Sequence, residues 1–285
     1  MRIASFLLVA VLMSTCAISG TFAKYVTADS ATDDARVAKW GITVAVSGNL
    51  FGKAYESKNA QSNQDSIVAS STNVSASTTV VAPGTKNDVG MNIAISGTPE
   101  VAYSITAATS GDQKDIFLAA GTYGVMVEAE GLNAATDIRG YYTESGGTYT
   151  AATGTWSDQT TYYQLIDTAT VAEGGYRPIV WTLTDNKAQS NQTTTYTTVA
   201  DLFAKIDDIN ATKNANAQVD IDYTITWAWA FENQNDGADT ILGHLQAGGV
   251  NVVKLGANGT YAAPTASDSC LTVAFGISVT VTQVD

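Results

Sequence analysis

Apolar residues occupy every second position in several stretches of this chain, which is typical of β-strands with one buried face. The longest stretch is 219–231, in which Val, Ile, Tyr, Trp and Phe alternate with Asp, Thr and Ala. The same alternation occurs at 42–47, 91–95 and 273–281. A turn-like Gly-Thr-Pro sequence follows the run at 91–95 and precedes another run at 101–105, so these two are predicted to form a hairpin.

These patterns predict an all-β protein with a jelly-roll or β-sandwich core, formed by segments 38–106 and 219–285. The middle of the chain, 107–218, departs from the alternation and is predicted to be an inserted, partly helical subdomain. Its clearest helix has apolar residues at helical spacing and a threonine cap at 197 or 198. The apolar residues of that helix are Val199, Leu202, Phe203, Ile206 and Ile209.

Three weaker local patterns complete the prediction. A shorter helix is predicted near 112–119, and a strand is predicted at 176–183, where Ile, Trp and Leu alternate. The Ser/Thr/Gly-rich segments 56–79 and 141–160 are predicted to be loops or sheet edges.

The first 23 residues have the features of a secretory signal peptide. Arg2 precedes an apolar run over 3–17, which is too short for a stable membrane span, and small residues follow. Cleavage is predicted between Ala23 and Lys24, and the mature protein is expected outside the cell. Cys16 leaves a lipoprotein as the less favoured alternative, because Thr15 is a poor residue before a lipid-modified cysteine.

The net charge of the chain limits the classes of partner that it can bind. A formal charge of −13 and a pI near 4.3 argue against nucleic acid and anionic lipid, which would be repelled. Removal of the signal peptide also removes Cys16, so Cys270 has no intramolecular disulfide partner and is expected to be a small strand residue.

The chain lacks the residues of common catalytic sites. His244 is its single histidine, and neither an HExxH nor a GxSxG motif occurs, so a two-histidine zinc site is excluded. We expect His244 to lie in a turn over 243–249. Asp220 and Asp222 share a polar strand face and are expected to be solvent-exposed rather than a glycosidase pair. The sequence therefore predicts no enzyme and no catalytic residue.

One segment, 232–239, is dense enough in oxygen ligands to suggest calcium, with Asn235, Asp236 and Asp239 as weak candidates. It does not have EF-hand spacing, and a polar loop that closes the long strand is the favoured interpretation. Trp227 and Trp229 could stack on sugars, but their alternation with alanine favours a place in the core. No other cofactor is predicted.

Three short motifs resemble the TasA and camelysin family of secreted bacterial proteins. The sequence GTFAKYVT at 20–27 is similar to the family's signal-peptide junction, and VAPGTK at 81–86 is similar to its Pro-Gly-x-Lys turn. WAWAFE at 227–232, followed by NDGADT at 235–240, resembles a late-strand motif of clostridial relatives. The resemblance covers both ends and the β core but not 107–218.

This resemblance implies a jelly-roll subunit of extracellular filaments in a biofilm matrix or at the cell surface. A SipW-type signal peptidase would remove the leader, and the freed segment 24–37 would complete the sheet of the next copy. Such donor-strand exchange produces a head-to-tail homopolymer, to which accessory subunits can be added. The donor strand would begin with Lys24, Tyr25, Val26, Thr27 and Ala28.

Two other functions remain open at this point. Camelysin relatives have been classed as metallopeptidases, but a chain with one histidine and no HExxH would have only carboxylate and amide ligands. A monomeric surface adhesin or carbohydrate-binding module is the second alternative. Chelator-sensitive proteolysis, glycan binding without polymer, or concentration-dependent filaments would distinguish the three.

Overall fold

A computed structural model describes residues 37–51, 81–134, 136–188, 190–230, 235–249 and 251–284. The predicted signal peptide, its cleavage site at Ala23 and Lys24, and the loop predicted at 56–79 lie outside the described residues. The predicted donor segment also lies outside them, with the exception of Val37. Residues 39–285 form one compact unit.

Within the described ranges the chain is predominantly β-structure, which confirms the all-β prediction. The strands are β1 Ile42–Gly48, β2 Lys86–Gly97, β3 Tyr103–Thr109, β4 Phe117–Leu118, β5 Gly121–Glu128, β6 Tyr142–Ser145, β7 Thr148–Ala151, β8 Tyr163–Val171, β9 Ile179–Asp185, β10 Gln192–Tyr196, β11 Ala211–Lys213, β12 Val219–Trp229, β13 Val252–Leu255, β14 Tyr261–Ala262, β15 Ser269–Cys270 and β16 Ile277–Gln283. The helices are α1 Val199–Ile206, a 3₁₀ turn Asp207–Ile209, and α2 Asp236–Gln246.

Two antiparallel sheets form the sandwich. The larger has five strands in the order β1-β2-β12-β9-β10, and the smaller has three in the order β11-β3-β16. Side chains from both sheets enter one continuous core, among them Ile93, Ile105, Trp181 and Trp227, each at most 2% exposed. The predicted sandwich is therefore confirmed.

Strand β12 lies at the centre of the larger sheet and has the alternation that the sequence predicts. Val219, Ile225, Trp227 and Trp229 are buried, while Asp220 on the opposite face is exposed. Because β12 pairs with both β2 and β9, its apolar face is held over the core for the length of the strand.

The hairpin predicted from the runs at 91–95 and 101–105 is wrong. Strand β2 pairs with β1 and β12 in the larger sheet, whereas β3 pairs with β11 and β16 in the smaller sheet. The Gly-Thr-Pro segment between them thus connects one sheet to the other. A local turn signal reverses the chain but does not determine which sheet the next strand joins.

A closed six-stranded barrel adjoins the sandwich, in the order β13-β14-β7-β6-β8-β5. Its hairpin β6–β7 lies inside 141–160, where only loops or edges were predicted. Strands β13 and β14 come from the predicted core segment, and β9, β10, β11 and α1 of the predicted insertion belong to the sandwich. The boundaries 107 and 218 therefore do not separate the sandwich from the barrel.

The helix predicted around Leu202 is confirmed as α1, and its cap is Thr198, whose hydroxyl accepts a hydrogen bond from the Asp201 backbone N–H at 3.0 Å. The shorter helix predicted near 112–119 is wrong, since β4 lies there. Helix α2 occupies 236–246, where a polar loop and a turn containing His244 were expected. The first turn of α2 packs closely on β8: a Cβ added to Gly237 would lie 3.2 Å from the side chain of Ala169.

Candidate functional site

Strand β1 forms one end of the five-stranded sheet and leaves apolar side chains exposed. Val44 is paired with Ile95 and Val46 with Ile93, and both isoleucines are fully buried, so the two valines lie on the core side of the sheet. Val44 is nevertheless 37% exposed and Val46 is 40% exposed. Among the described residues, no strand pairs with the outer edge of β1.

Strand β16 forms the corresponding end of the smaller sheet. Ile277, Val279 and Val281 share the face that packs on the core, yet all three are only partly buried. β16 pairs with β3, and within the described part of the chain no strand pairs with its other edge. β1 and β16 lie close together without a hydrogen-bonded ladder between them.

We refer to β1 and β16 together as the open edge. Each strand presents unpaired backbone N–H and C=O groups along its outer side within the described chain, next to an incompletely covered apolar face. Such an edge is a template for a further strand, because backbone hydrogen bonds supply affinity and alternate side chains fill the apolar face. The other face of β1, with Thr43, Ala45 and Ser47, is exposed and mostly polar.

The single histidine lies on α2 and contacts one carboxylate. His244 Nε2 is 3.2 Å from Asp167 Oδ2, and both side chains are substantially exposed. This contact joins α2 to β8. Such an exposed pair contributes little to stability.

The strand carboxylates Asp220 and Asp222 take part in a polar network on the outer face of the larger sheet. Asp220 forms an ion pair with Lys187 at 2.7 Å. Asp222 Oδ1 accepts hydrogen bonds from the amides of Asn186 at 2.9 Å and Asn92 at 2.6 Å, and these bonds lower its pKa. The network links β2, β12 and the turn after β9.

Of the three calcium candidates, Asp239 is directed into the protein. Its Oδ1 accepts hydrogen bonds from the Tyr176 hydroxyl at 2.7 Å and the Trp229 indole N–H at 3.2 Å. Asn235 and Asp236 are exposed. No group of three or more metal-ligating His, Cys, Asp or Glu side chains occurs in the described part of the chain. Calcium binding stays a prediction.

The surroundings of the Asp239 carboxylate disfavour its charged form. Burial raises its pKa to about 6, with a smaller contribution from the nearby charge of Asp236. Its Oδ2 is buried and accepts no hydrogen bond from any residue in the described ranges. Because a buried charge with an unsatisfied oxygen is costly, the folded protein holds the proton of Asp239 more tightly than an exposed carboxyl group would.

Trp227 and Trp229 are core residues, as their alternation predicts. They are 1% and 6% exposed, and the Trp227 indole N–H donates to the Leu50 carbonyl at 2.7 Å. Neither ring is available for sugar stacking. Cys270 is partly buried in β15, as expected for a strand residue, and its thiol donates to the Thr272 carbonyl.

Sequence reasoning predicted β1 as a strand but did not identify it as a free edge. The order of strands in the sheet depends on partners far along the chain, so no pattern within 42–47 discloses it. No helix in the described ranges is both long and apolar enough to span a membrane. Comparison of the chain with protein-family models, curated proteins and solved structures finds no match.

Proposed function

We propose that this chain is a secreted, non-enzymatic structural subunit that polymerises into extracellular filaments of a biofilm matrix. The open edge of one subunit accepts the N-terminal segment 24–37 of the next, after a SipW-type signal peptidase has removed 1–23. The polymer is head-to-tail, because the segment that is donated and the edge that accepts it are different surfaces of the same chain.

One observation carries the proposal: Val44 and Val46 lie on the core side of the sheet and yet are 37% and 40% exposed. An edge strand exposed in this way invites aggregation unless something covers it, and a monomer usually protects it with charges, proline or a bulge. β1 has the sequence ITVAVSG, without charge or proline. A strand added from another copy would cover both valines and satisfy the backbone groups of the edge.

The segment 24–37 has the chemistry to serve as the added strand. It is longer than the seven residues of β1, so it could pair along the whole strand and still connect to its own subunit. Val26 and Ala28 would lie on one face and Tyr25 and Thr27 on the other. The small apolar pair Val26 and Ala28 suits an edge that already carries two valines.

The experiment compares three forms of the protein by negative-stain electron microscopy. The first begins at Lys24, the second carries a short blocking extension before Lys24, and the third lacks 24–35. We expect concentration-dependent filaments from the first form alone, and a folded monomer by circular dichroism from the third. Filaments of unchanged length from the form without 24–35 would refute the proposal.

A further inference from the structure

Four tyrosines from four different strands meet inside the six-stranded barrel. We call them the tyrosine cluster: Tyr142 of β6, Tyr149 of β7, Tyr163 of β8 and Tyr261 of β14. They form two edge-to-face pairs, Tyr142 with Tyr261 at 5.5 Å between ring centroids and Tyr149 with Tyr163 at 5.1 Å. Beneath them lie the fully buried side chains of Met126 and Val253.

The strand registers place two glutamates on the same face as the tyrosines. Glu128 is directly opposite Tyr163, which is itself opposite Tyr142. Glu144 is directly opposite Tyr149, which is opposite Tyr261. Because residues directly opposite one another share a face, each row of the barrel interior combines two tyrosines with one carboxylate. Both glutamates are exposed, so these rows reach solvent at an opening of the barrel.

The cluster is too polar and too exposed to be only packing. Tyr142, Tyr149 and Tyr163 are partly exposed, and within the described chain no group forms a hydrogen bond with any of the four hydroxyls. Burial raises the pKa of Tyr149 and of Tyr261 above its ordinary value, at which a phenol is already a protonated hydrogen-bond donor at neutral pH. Tyrosines with an apolar ring at the core and a free hydroxyl towards water are typical of binding surfaces.

Charge restricts the ligand. Glu128, Glu144 and the formal charge of −13 would repel an anion. A cation binds best where several ring faces surround one point. These rings instead form edge-to-face pairs, each of which joins one row to the other, so the cluster is not a cation cage. Neutral sugar rings suit the arrangement, because the apolar C–H face of a pyranose can lie on a tyrosine while its hydroxyls meet phenols and carboxylates.

We propose that the opening of the barrel at Tyr142, Tyr149 and Tyr163 binds a neutral polysaccharide, with Glu128 and Glu144 accepting hydrogen bonds from its hydroxyls. The mouth of a β-barrel lined with aromatic rings and a few polar groups is a common place for a ligand. This site lies in the barrel and shares no residue with the open edge. It is therefore independent of the proposed polymerisation, and either can fail without the other.

Isothermal titration calorimetry on the protein that begins at Lys24 tests this site with cellohexaose, chitohexaose and maltohexaose, together with poly-lysine as a cationic probe. We expect at least one hexasaccharide to bind. Tyr149→Phe and Tyr163→Phe keep the ring pair and remove one hydroxyl each, so each should weaken binding about five- to tenfold. Tyr142→Ala should abolish it, because a stacking surface is lost.

Tyr141→Phe is the matched control, since Tyr141 is adjacent in sequence but is not part of the cluster. Its affinity should equal that of the unmodified protein, and near-ultraviolet circular dichroism should show that every variant is folded. Three results would overturn the proposal: no binding of any hexasaccharide, binding of poly-lysine alone, or hexasaccharide binding that the two phenylalanine variants leave unchanged. Filament formation by the phenylalanine variants should be normal in every case.

Discussion

The two sides of the sandwich differ in how their apolar faces are covered. On the side of β9 and β10, helix α1 covers the sheet and buries Val199, Leu202, Phe203 and Ile206. The Asp115 carboxylate accepts hydrogen bonds from the Val199 backbone N–H at 3.0 Å and the Trp181 indole N–H at 3.3 Å, which fixes the start of the helix to the sheet. On the side of β1 and β16, no described helix covers the apolar face.

This difference separates the apolar surface that stabilises the monomer from the apolar surface that could stabilise an assembly. The apolar face that α1 covers is buried in the monomer, and this burial stabilises the folded monomer. A face left 37–40% exposed at Val44 and Val46 contributes little to the monomer, and its burial is available to stabilise an assembly. Substitutions on the covered side should therefore change stability, and those on the open side should change association.

Leu202→Ala on the covered side should have the largest effect on stability. Leu202 is fully buried in α1, and truncation of such a leucine costs about 2–5 kcal/mol through lost burial and a cavity. Chemical denaturation of the mature protein measures the loss as a lower midpoint with an unchanged slope. A loss below about 1 kcal/mol would mean that α1 does not close this side of the core.

Gly97→Ala should disturb the attachment of β1 to β2. Gly97 has a φ of +145°, and an added Cβ would lie 2.1 Å from the Gly41 carbonyl oxygen, so the β1 backbone would have to move. Backbone strain of this kind costs about 1–3 kcal/mol, and the displaced strand should also impair filament formation. The control is Gly243→Ala in α2, where an added Cβ meets nothing within 4 Å. It should stabilise the protein by about 0.5–1 kcal/mol.

The stability of the protein should depend on pH through Asp239. Its folded pKa is raised from 3.8 to about 6, so its contribution is fully present below pH 3.8 and is lost as the pH rises through about 6. Asp239→Asn removes the buried charge and should flatten this part of the profile. At pH 7.5 the variant should be more stable by about 1–2 kcal/mol, a value reduced for solvent screening of a partly exposed side chain.

Urea denaturation at pH 5 and pH 7.5 checks this prediction, with Asp236→Asn as the control, because Asp236 is exposed at the start of the same helix. Asp239→Asn should remove most of the stability difference between the two pH values, and Asp236→Asn should remove little of it. Equal profiles for Asp239→Asn and the unmodified protein would contradict the assignment of the pKa.

Val46→Ala should have the smallest effect on the monomer. Its side chain is 40% exposed, so its truncation should cost less than about 1 kcal/mol. The comparison with Leu202→Ala measures directly how unequal the two sides of the sandwich are. Losses of similar size in the two variants would show that β1 is as well covered as α1.

Local patterns predicted the parts of the fold that local physics determines. The alternation in β12 and the capped amphipathic helix α1 follow from burial of one face and from the Thr198 cap, and both could be predicted from the sequence. The pairing of strands could not be predicted in this way, because β2 and β3 pair with strands far along the chain and not with each other.

Helix α2 and the tyrosine cluster show why other features were missed. The Asn, Asp and Gly residues around 235–239 favour turns, and packing of α2 on β8 overrides that preference. The four tyrosines are distant in sequence and meet only when the barrel closes. One signal was present: Gly146 and Gly147, both with positive φ, form the two-residue turn between β6 and β7 and could have identified that hairpin.

The most direct test of the open edge compares two double variants of the protein that begins at Lys24. Val44→Lys with Val46→Lys places charges on the face that would receive a strand, while Thr43→Lys with Ala45→Lys places the same charges on the opposite, exposed face of β1. The subunit should fold in both variants, as judged by circular dichroism. Electron microscopy should show filaments only from the Thr43 and Ala45 variant. Filaments of normal length and number from the Val44 and Val46 variant would contradict the account.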